Sequence, residues 1–447
     1  MSQVSAQNSV LFSKIETRQA KIAVIGLGYV GLPLMLAAVT QGFRVIGFDI
    51  NPDRVAELNG GRTPLEHIPA AKIAAARAAG LFEASGDFAR LGEADAIIIC
   101  VPTPLGRHRE PDLHYVVQTI EAIAGTLRPG QLIVLESTTY PGTTSDVCRP
   151  ILEQGGLQSG RDFYLAFSPE REDPGNASFS TRSIPKIVGG DGPEALALAQ
   201  MLYAAFVDHV VPVSSTATAE AVKITENIFR AVNIALVNEL KVIYHHMGID
   251  VFEVIDAAKT KPFGFMPFYP GPGLGGHCIP IDPFYLSWKA RAHGLNTRFI
   301  ELAGEINSDM PRWVIDRLAE ALDRRMGLAL SRAAILIVGA AYKKNISDIR
   351  ESPALTIIEM LQERGARVDF HDPHVPEIPM TREHGKLAGL RSVALSAQNV
   401  AAYDAVMIVT DHDRIDWPAL VDAAKLVVDT RNATRKAGVR SEKIVAA

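Results

Sequence analysis

Short apolar runs recur through the first half of the chain, and each ends in a polar, glycine-rich or proline-containing loop. They are residues 21–25, 44–48, 96–101, 132–136 and 164–167. Runs of this length that are apolar throughout are typical of strands buried on both faces of a parallel sheet. Because ligands of such sheets bind outside the carboxyl ends of the strands, the loops after these runs are candidate site residues.

The first run leads directly into a glycine turn and an apolar helical pattern. Gly26, Gly28 and Gly31 have the spacing Gly-X-Gly-X-X-Gly. In a dinucleotide-binding turn the first glycine makes the tight turn, the second lets a pyrophosphate approach, and the third lets the helix pack on the strand. The helix N-terminus then faces the phosphates. Tyr29 and Val30 lie inside this turn and are further candidate cofactor contacts.

The second run ends in an acid, Asp49, eighteen residues after Gly31. A carboxylate at this position accepts hydrogen bonds from a ribose 2′-hydroxyl and repels a 2′-phosphate. The sequence therefore predicts NAD as the cofactor in preference to NADP. Arg54, a few residues further on, is the one nearby feature that suits NADP, and it is also a candidate cofactor contact.

The loops after the later runs supply polar candidates. Four of them are candidate cofactor contacts, namely Pro102, Thr103, Ser137 and Thr138. The alternative, that these residues only cap helices, applies chiefly to Thr103. Glu170 follows the fifth run, and an acid beside apolar sequence can position or deprotonate a water molecule.

A long helical pattern runs from about residue 219 to 247, with apolar residues on nearly every face. At about 1.5 Å per residue it is roughly 43 Å long, and a helix that is apolar all round is buried. We expect it to join two α/β halves and to pack against its counterpart in a dimer. Lys223 and Asn227 share one face, and in so apolar a helix Lys223 must be paired, snorkelling or functional.

The second half repeats the strand pattern of the first, with runs at 334–338, 367–371 and 404–409. The glycine turn is not repeated, because Ala340–Asn345 stands in its place, and we expect no dinucleotide there. Lys343, Lys344 and Arg350 are candidate donors to a phosphorylated ligand. A solvated basic face is the alternative, chiefly for Lys344.

The stretch Gly271–Pro283 places four glycines within six positions just before a lone cysteine, Cys278, with Asp282 four residues on. Glycine permits turns and close approaches that a Cβ would forbid, so this loop can display the thiol as a nucleophile. The alternative is a connector in which Cys278 is incidental, because single-cysteine signatures do not transfer between families. The local sequence does not choose between the two.

Composition narrows the class of protein. The 447 residues are 47% hydrophobic and 21% charged, and the net charge is −5. Without a basic stripe we expect no nucleic-acid or anionic-membrane surface.

The three cysteines fit neither a disulfide framework nor a Cys-X-X-Cys site, and we predict no metal. The N-terminus is polar and no run reaches about 18 apolar residues, which favours a cytoplasmic protein that binds small molecules and assembles as a homodimer or larger homo-oligomer.

These patterns predict an α/β protein with two Rossmann-like, doubly wound parallel-sheet domains joined by a long central helix. The chain is long enough for two or three domains. We place an N-terminal NAD-binding domain at 1–213, a central helical and dimerisation domain with the thiol loop at 214–325, and a C-terminal domain at 326–447.

Seven motifs together resemble the UDP-glucose/GDP-mannose dehydrogenase family, from about Lys21 to about residue 435. They are GLGYVGLPL at 26–34, VPTP at 101–104, ESTTYPGTT at 136–144, SPE at 168–170, Lys223 with Asn227, GGHCIPID at 275–282 and YKKNISDIRESP at 342–353. The resemblance implies a four-electron oxidation of the primary alcohol of a UDP-sugar to a carboxylate, with two NAD consumed. It also implies that the C-terminal domain binds the UDP-sugar.

By this resemblance Cys278 is the catalytic thiol. Lys223, Asn227 and Asp282 would orient and activate the reacting oxygen or water, and Glu170 and Thr138 would assist at the water. The implied substrate contacts are Glu170, Arg171, Lys223, Asn227, Tyr269, Gly275 and Lys343. Lys343 and Arg350 match nucleotide-side and interdomain positions of the family, and Arg350 is a candidate cofactor contact.

The residue types suit this chemistry. An aldehyde must become tetrahedral before a second hydride can leave, and attack by a thiolate achieves this through a thiohemiacetal and then a thioester. A free thiol with a pKa of about 8.5 is only a few per cent ionised at neutral pH. The ammonium of Lys223 could raise the thiolate fraction and stabilise the oxyanion, and Asp282 could keep that lysine in place.

The loop sequence SPEREDPGN at 168–176 and the segment before Cys278 are similar to family members that act on UDP-N-acetylglucosamine. That sugar is the expected substrate, with the product serving surface polysaccharide synthesis; UDP-glucose and UDP-N-acetylgalactosamine stay open. No arginine that could reach a partner's sugar stands between Lys261 and Cys278. Two other interpretations are a two-electron β-hydroxyacid dehydrogenase, which has no need of Cys278, and a non-catalytic nucleotide-sugar sensor.

Overall fold

The computed structural model describes residues 6–65, 68–106, 110–171, 181–276 and 279–447. The chain forms two compact units. The first runs to Glu226 and includes Phe284–Asn296, and the second contains Asn227–Pro283 and Thr297–Ala447. The division into three domains at residues 213 and 325 stays a prediction.

The first unit is built on an eight-stranded sheet. Its strands are β1 (Lys21–Ile25), β2 (Arg44–Phe48), β3 (Phe82–Ser85), β4 (Ala96–Ile99), β5 (Leu132–Leu135), β6 (Tyr164–Phe167), β7 (Lys186–Gly190) and β8 (Val210–Val213). They lie in the order β3-β2-β1-β4-β5-β6-β7-β8. Neighbouring strands are parallel except β6 and β7, where Ala166 faces Gly190 and Phe167 faces Gly189. The predicted doubly wound α/β fold is confirmed, with the difference that this sheet is mixed rather than wholly parallel.

Helices cover this sheet on both faces. They are α1 (Ala6–Glu16), α2 (Gly31–Thr40), α3 (Pro52–Asn59), α4 (Ala70–Ala78), α5 (His114–Ala124), α6 (Arg149–Leu152) and α7 (Pro193–Ala204). Alternate strand residues enter two separate cores: Val24 and Ile98 belong to one, and Ile25 and Ile99 to the other. Apolar side chains thus pack on both faces of the sheet, which explains why the strands read as unbroken apolar runs.

The two helices that flank the predicted cofactor turn begin differently. Asn51 caps α3, because its Oδ1 accepts a hydrogen bond from the amide of Asp53 at 2.9 Å. The N-terminus of α2 has no side-chain cap. The amides of Leu32 and Leu34 donate to the carbonyl oxygens of Gly28 and Val30 at 3.1 and 3.3 Å, and the positive end of the helix dipole faces the glycine turn.

The predicted long helix is α8 (Thr216–His246), which has 31 residues. The boundary between the two units falls within it, after Glu226. Phe229, Leu236 and Ile243 follow each other at intervals of seven, so they lie on one face, and they are 47%, 50% and 45% exposed. One face of the helix is therefore open to solvent in the single chain, and the expected packing of the helix against its counterpart in a dimer stays a prediction.

The second unit contains a smaller sheet that is parallel throughout its described pairs. Its strands are β9 (Ala334–Val338), β10 (Arg367–His371), β11 (Ala405–Ile408), β12 (Val427–Asp429) and β13 (Ile444–Ala446), in the order β10-β9-β11-β12-β13. The remaining helices are α9 (Val251–Ala258), α10 (Asp282–Ala292), α11 (Arg298–Met326), α12 (Pro353–Glu363), α13 (Ala397–Ala401), α14 (Trp417–Ala423) and α15 (Ala433–Lys436). Among the described helices, none combines the length and the apolarity that crossing a membrane requires.

Candidate active site

The glycine turn after β1 has the geometry that the sequence predicts for a dinucleotide. Gly26 has φ +91°, and a Cβ there would lie 2.5 Å from the carbonyl oxygen of Cys100. A Cβ on Gly31 would lie 2.0 Å from the carbonyl oxygen of Gly26, whereas one on Gly28 would meet nothing within 4 Å. The first and third glycines are thus required by packing, and the space beside Gly28 is open to a pyrophosphate.

Asp49 is held in place by this same turn. Its Oδ2 accepts a hydrogen bond from the amide of Leu27 at 3.0 Å, and its Oδ1 accepts one from the amide of Asn51 at 2.9 Å. Arg54 contacts Oδ2 at 3.2 Å. The arginine therefore pairs with the acid in this structure, and the residues fit the NAD adenosine ribose as predicted from the sequence.

The loops after β4 and β5 meet beside this turn. Ser137 Oγ donates a hydrogen bond to the carbonyl oxygen of Val101 at 2.8 Å. Thr103 is buried, and its carbonyl oxygen accepts a hydrogen bond from Tyr285. The structure thus brings Ser137 close to the 101–103 segment, which contains the predicted contacts Pro102 and Thr103. Thr138 follows in the same loop and is half-buried.

A buried acid that the sequence analysis missed, Glu220, fixes the end of the β5 loop. It accepts hydrogen bonds from the amides of Gly142 at 2.6 Å and Thr144 at 2.8 Å, and from Thr144 Oγ1 at 2.7 Å. Burial raises the pKa of Glu220 to about 7, although these donors oppose the shift. Its signal in the sequence is an acid in a largely apolar helical pattern, three residues before Lys223.

Lys223 lies on α8 and is 5% exposed. Its Nζ donates a hydrogen bond to the carbonyl oxygen of Glu170. The two predicted catalytic residues are thus in direct contact, through the main chain of Glu170 rather than through its carboxylate. Arg171, next along the chain, contacts Glu226 Oε1 at 2.7 Å; residues 172–180 of this loop lie outside the described chain.

Three further buried polar residues, Lys186, Glu136 and Tyr203, lie near Glu170. The sequence analysis assigned a site role to none of them. Lys186 Nζ lies 2.7 Å from Glu136 Oε2 and 4.0 Å from Glu170 Oε2. Tyr203 donates a hydrogen bond to Glu136 Oε1. Burial lowers the pKa of Lys186, but the two carboxylates together raise it above its ordinary value.

In the second unit, Asn227 and Asp282 form a buried pair. The side-chain amide of Asn227 donates a hydrogen bond to Asp282 Oδ2, and Arg230 donates one to Asn227 Oδ1. Asn227 and Asp282 are 0% and 1% exposed. Asp282 is the first residue of α10, which ends the thiol loop, so the contact ties that loop to α8.

The glycines before the thiol pack on the loop that follows β9. A Cβ on Gly275 would lie 2.5 Å from Tyr342 Cβ, and one on Gly276 would lie 2.8 Å from the ring of Tyr342. The amide of Gly276 also donates a hydrogen bond to the carbonyl oxygen of Arg350 at 3.0 Å. Gly275 thus has a packing role in addition to its predicted substrate contact. Cys278, the predicted nucleophile, lies outside the described residues.

Two other predicted substrate contacts, Tyr269 and Lys343, lie in the second unit. The hydroxyl of Tyr269 donates a hydrogen bond to Asp256 at 2.7 Å and lies 3.1 Å from Lys259 Nζ. Lys343 is half-buried. Its neighbour Lys344 pairs with Asp413 at 2.8 Å on the surface, as the solvated alternative expects.

Arg350 contacts the carboxylate of Asp348, with Nη2 at 2.7 Å from Oδ2. The guanidinium is about half exposed. The side chain of Arg350 is therefore held by an acid two residues away. Its carbonyl oxygen accepts the hydrogen bond from Gly276 in the thiol loop. The contact of Arg350 with the cofactor stays a prediction.

The second sheet carries an acid equivalent to Asp49, but it is fully engaged. Asp372 Oδ2 accepts hydrogen bonds from the amides of Ala340 and Ala341 at 2.7 and 2.9 Å, and His412 Nε2 lies 2.9 Å from the same oxygen. The amide of His374 donates to Oδ1 at 2.8 Å. Five groups therefore surround this buried carboxylate, once Val375 is counted, and the absence of a dinucleotide from this sheet stays a prediction.

Three sequence models of one family match the chain in succession. The UDP-glucose/GDP-mannose dehydrogenase NAD binding domain matches residues 20–207, the central domain matches 217–309, and the UDP binding domain matches 336–436. The matches cover most of the 447 residues. They agree with the resemblance drawn from the seven motifs.

Individual proteins are similar over nearly the whole chain. The UDP-N-acetyl-D-glucosamine 6-dehydrogenase of Pseudomonas aeruginosa is 37% identical over 399 residues, which are 88% of this chain and 91% of that protein. The UDP-N-acetyl-D-mannosamine dehydrogenase of Pyrococcus horikoshii is 34% identical over 425 residues, 93% and 96% of the two chains. A solved structure of the UDP-D-ManNAc dehydrogenase from Pyrococcus horikoshii matches with a TM-score of 0.84 at 32% identity, and covers 95% of this chain and 98% of that one. The chain therefore belongs to the UDP-glucose/GDP-mannose dehydrogenase family and is an NAD-dependent nucleotide-sugar dehydrogenase.

Proposed function

We propose that the enzyme oxidises C6 of UDP-N-acetylglucosamine from primary alcohol to carboxylate. The observation that carries this proposal is that one turn of α8 bears Lys223 and Asn227, each already bonded to a predicted catalytic partner, Glu170 and Asp282 respectively. The sugar is supported by the loop sequence at 168–176 and by the name of a relative that is 37% identical.

The first oxidation needs a group that stabilises the alkoxide as the C6 hydride leaves. Two bound NAD molecules, used in turn, accept the two hydrides. Lys223 is the cation on the catalytic face of α8, and burial strengthens its interaction with developing negative charge. Asn227 orients the same oxygen, because Asp282 and Arg230 fix the plane of its side-chain amide.

The second oxidation needs a covalent bond to the thiol of Cys278. The thiolate adds to the aldehyde carbon, which forms a C–S bond and a thiohemiacetal oxyanion. Loss of the second hydride from this carbon gives a thioester. Water then adds to the thioester, the C–S bond breaks, and the carboxylate leaves while the thiol is restored. Glu170, with Thr138, takes the proton of that water.

The C-terminal unit binds the nucleotide part of the substrate. Lys343 follows β9, at the carboxyl edge of the second sheet, where ligands of parallel sheets bind. An ammonium there is suited to a diphosphate. The remaining proposed substrate contacts are Arg171, Tyr269 and Gly275. Arg350 is a proposed contact of the cofactor.

A homodimer is the proposed assembly. Phe229, Leu236 and Ile243 form an exposed apolar stripe along α8, and such a stripe is typical of a surface that another helix covers. A second copy of the same helix is the simplest partner with a matching stripe. The proposed location is the cytoplasm, and the proposed use of the product is as a precursor of surface polysaccharide.

A panel of substrates tests this proposal. UDP-N-acetylglucosamine, its galacto and manno epimers and UDP-glucose would each be incubated with NAD, and NADH and acid would be measured. We expect UDP-N-acetylglucosamine to have the highest kcat/KM and to give two NADH per acid. Faster turnover of the manno epimer would move the assignment to that sugar. A single NADH per product, with a β-hydroxy acid as the preferred substrate, would favour the two-electron alternative.

A further inference from the structure

The antiparallel strand of the first sheet brings a lysine to the catalytic edge. Glu136 follows β5 and Glu170 follows β6, so both lie at the carboxyl edge of the parallel strands. Because β7 runs antiparallel to β6, its first residue, Lys186, lies at that same edge. In a wholly parallel sheet the start of β7 would lie at the opposite edge.

Lys186 is enclosed between the two acids. Its side chain is 7% exposed and that of Glu136 is 0% exposed. Nζ lies 2.7 Å from Glu136 Oε2 and 4.0 Å from Glu170 Oε2. The other oxygen of Glu136 accepts a hydrogen bond from the buried hydroxyl of Tyr203, which anchors the group to α7.

The two lysines next to Glu170 contact different parts of it. Lys223 binds the carbonyl oxygen of Glu170, whereas Lys186 faces the carboxylate. One ammonium attracts both carboxylates and offsets the repulsion between them. At 4.0 Å from Glu170 Oε2, Lys186 is placed to attract the carboxylate of Glu170.

We propose that Lys186, held by Glu136 and Tyr203, is a positioning residue that keeps the carboxylate of Glu170 aimed at the water that hydrolyses the thioester. This inference rests on the proposed function. In the hydrolytic step Glu170 accepts a proton from water, the water oxygen bonds to the thioester carbon, and the C–S bond breaks. Lys186 exchanges no proton; when Glu170 becomes neutral, the charge of Lys186 remains balanced by Glu136.

The test variant is the double substitution Lys186→Met with Glu136→Gln, which removes both charges and so leaves no buried ion without a partner. The matched control is Lys14→Met with Asp95→Asn. Lys14 and Asp95 form a 2.8 Å pair in the same unit, at the amino end of β4. Lys186→Arg keeps the charge, and Glu170→Gln serves as the benchmark for loss of the carboxylate.

Each purified variant would be mixed with UDP-N-acetylglucosamine and NAD, quenched in acid and weighed by intact-protein mass spectrometry. We expect the double variant and Glu170→Gln both to accumulate a covalent sugar adduct and to lose about a hundredfold to ten-thousandfold in kcat, the range typical of a general base. KM for NAD should stay near wild type. Lys186→Arg should restore part of kcat, and the control pair should show no adduct.

The possible outcomes distinguish the role of Lys186 from that of Glu170. An adduct with Glu170→Gln but none with the folded double variant would overturn the role of Lys186 alone. The absence of an adduct in Glu170→Gln would overturn the proposed role of Glu170, and the role of Lys186 with it. A control pair that accumulates as much adduct as the test variant would show that general destabilisation is the cause, and this also overturns the inference.

Discussion

The amide of Leu27 donates a hydrogen bond of 3.0 Å to the carboxylate of Asp49. The turn that would bind the cofactor pyrophosphate and the acid that would bind its ribose are therefore one hydrogen-bonded assembly. Asp49 is also buried and paired with Arg54. A phosphate on the ribose would have to enter beside a carboxylate that cannot move away without losing these bonds.

We therefore predict that NAD is preferred over NADP. Hydrogen bonds to charged groups contribute about 1.5–3 kcal/mol, which corresponds to roughly ten- to a hundredfold in kcat/KM. Asp49→Ser should lower kcat/KM for NAD and raise it for NADP, because Arg54 then becomes available to the 2′-phosphate. Initial rates with both cofactors measure this, and equal turnover of the two by the wild type would contradict it.

The second prediction concerns the thiols. Cys278→Ser should fold and bind NAD but form almost no acid, because a serine hydroxyl is a far weaker nucleophile. Cys148→Ala is the matched control, since burial raises the pKa of Cys148 to about 12 and keeps that thiol unreactive. Acid and NADH would be quantified together. Near wild-type acid formation by folded Cys278→Ser, with two NADH per turnover, would require a route through the hydrated aldehyde.

The third prediction is that the second sheet binds the UDP-sugar while the first sheet binds NAD. Lys343→Ala should raise KM for the UDP-sugar roughly tenfold or more, as expected when a charged hydrogen bond is lost, and leave KM for NAD near wild type. Lys344→Ala should change neither, because Lys344 is engaged with Asp413 on the surface. If Lys343→Ala instead weakens NAD alone, the assignment of the second sheet to the substrate is wrong.

The fourth prediction concerns the exposed stripe on α8. Leu236→Glu introduces a charge at the middle of the stripe, and burying an unpaired charge in a dimer costs several kcal/mol. We expect the variant to sediment as a monomer where the wild type is a dimer. Met380→Glu, at another exposed apolar position, should leave the assembly unchanged. A Leu236→Glu protein that sediments like the wild type would exclude this stripe as the interface.

The fifth prediction follows from Glu220. Its pKa is raised from 4.5 to about 7, so the folded chain holds this proton more tightly than the unfolded chain does. The resulting stability is complete below pH 4.5 and is lost as the pH rises through 7. The shift corresponds to about 3 kcal/mol. The difference in Tm between wild type and Glu220→Gln should therefore change between pH 5 and pH 8, and an identical pH dependence of the two proteins would refute the assignment.

The apolar runs predict five of the eight strands of the first sheet and three of the five strands of the second, because strands buried on both faces leave an unbroken signal. No run predicts β3, β7, β8, β12 or β13. The strands predicted at 21–25, 44–48 and 164–167 have the predicted bounds, whereas those predicted at 96–101 and 132–136 end two residues and one residue early. The excess residues, Cys100, Val101 and Glu136, belong to the site loops, and the local sequence does not mark where strand pairing ends.

The residues that sequence analysis missed act through tertiary contacts. Lys186 reaches Glu170 only because β7 is antiparallel, and strand direction is not encoded in the run of apolar residues. Glu220 is one of three glutamates in α8, and its partners lie 76 to 78 positions away. The glycine at 275 was assigned to the substrate, yet the contact that requires it is with Tyr342.

The packing of Gly275 and Gly276 on Tyr342 means that the two residues nearest to Cys278 that the structure describes on its N-terminal side take their position from a residue more than sixty positions further along the chain. Lesions in the C-terminal third can therefore imitate the loss of the thiol in a genetic screen, although nothing in that third reacts. The same dependence limits the exchange of nucleotide-binding halves between relatives. A chimera that receives a new C-terminal half has to receive residues 271–283 together with 342–353, because neither segment has a fitting surface without the other.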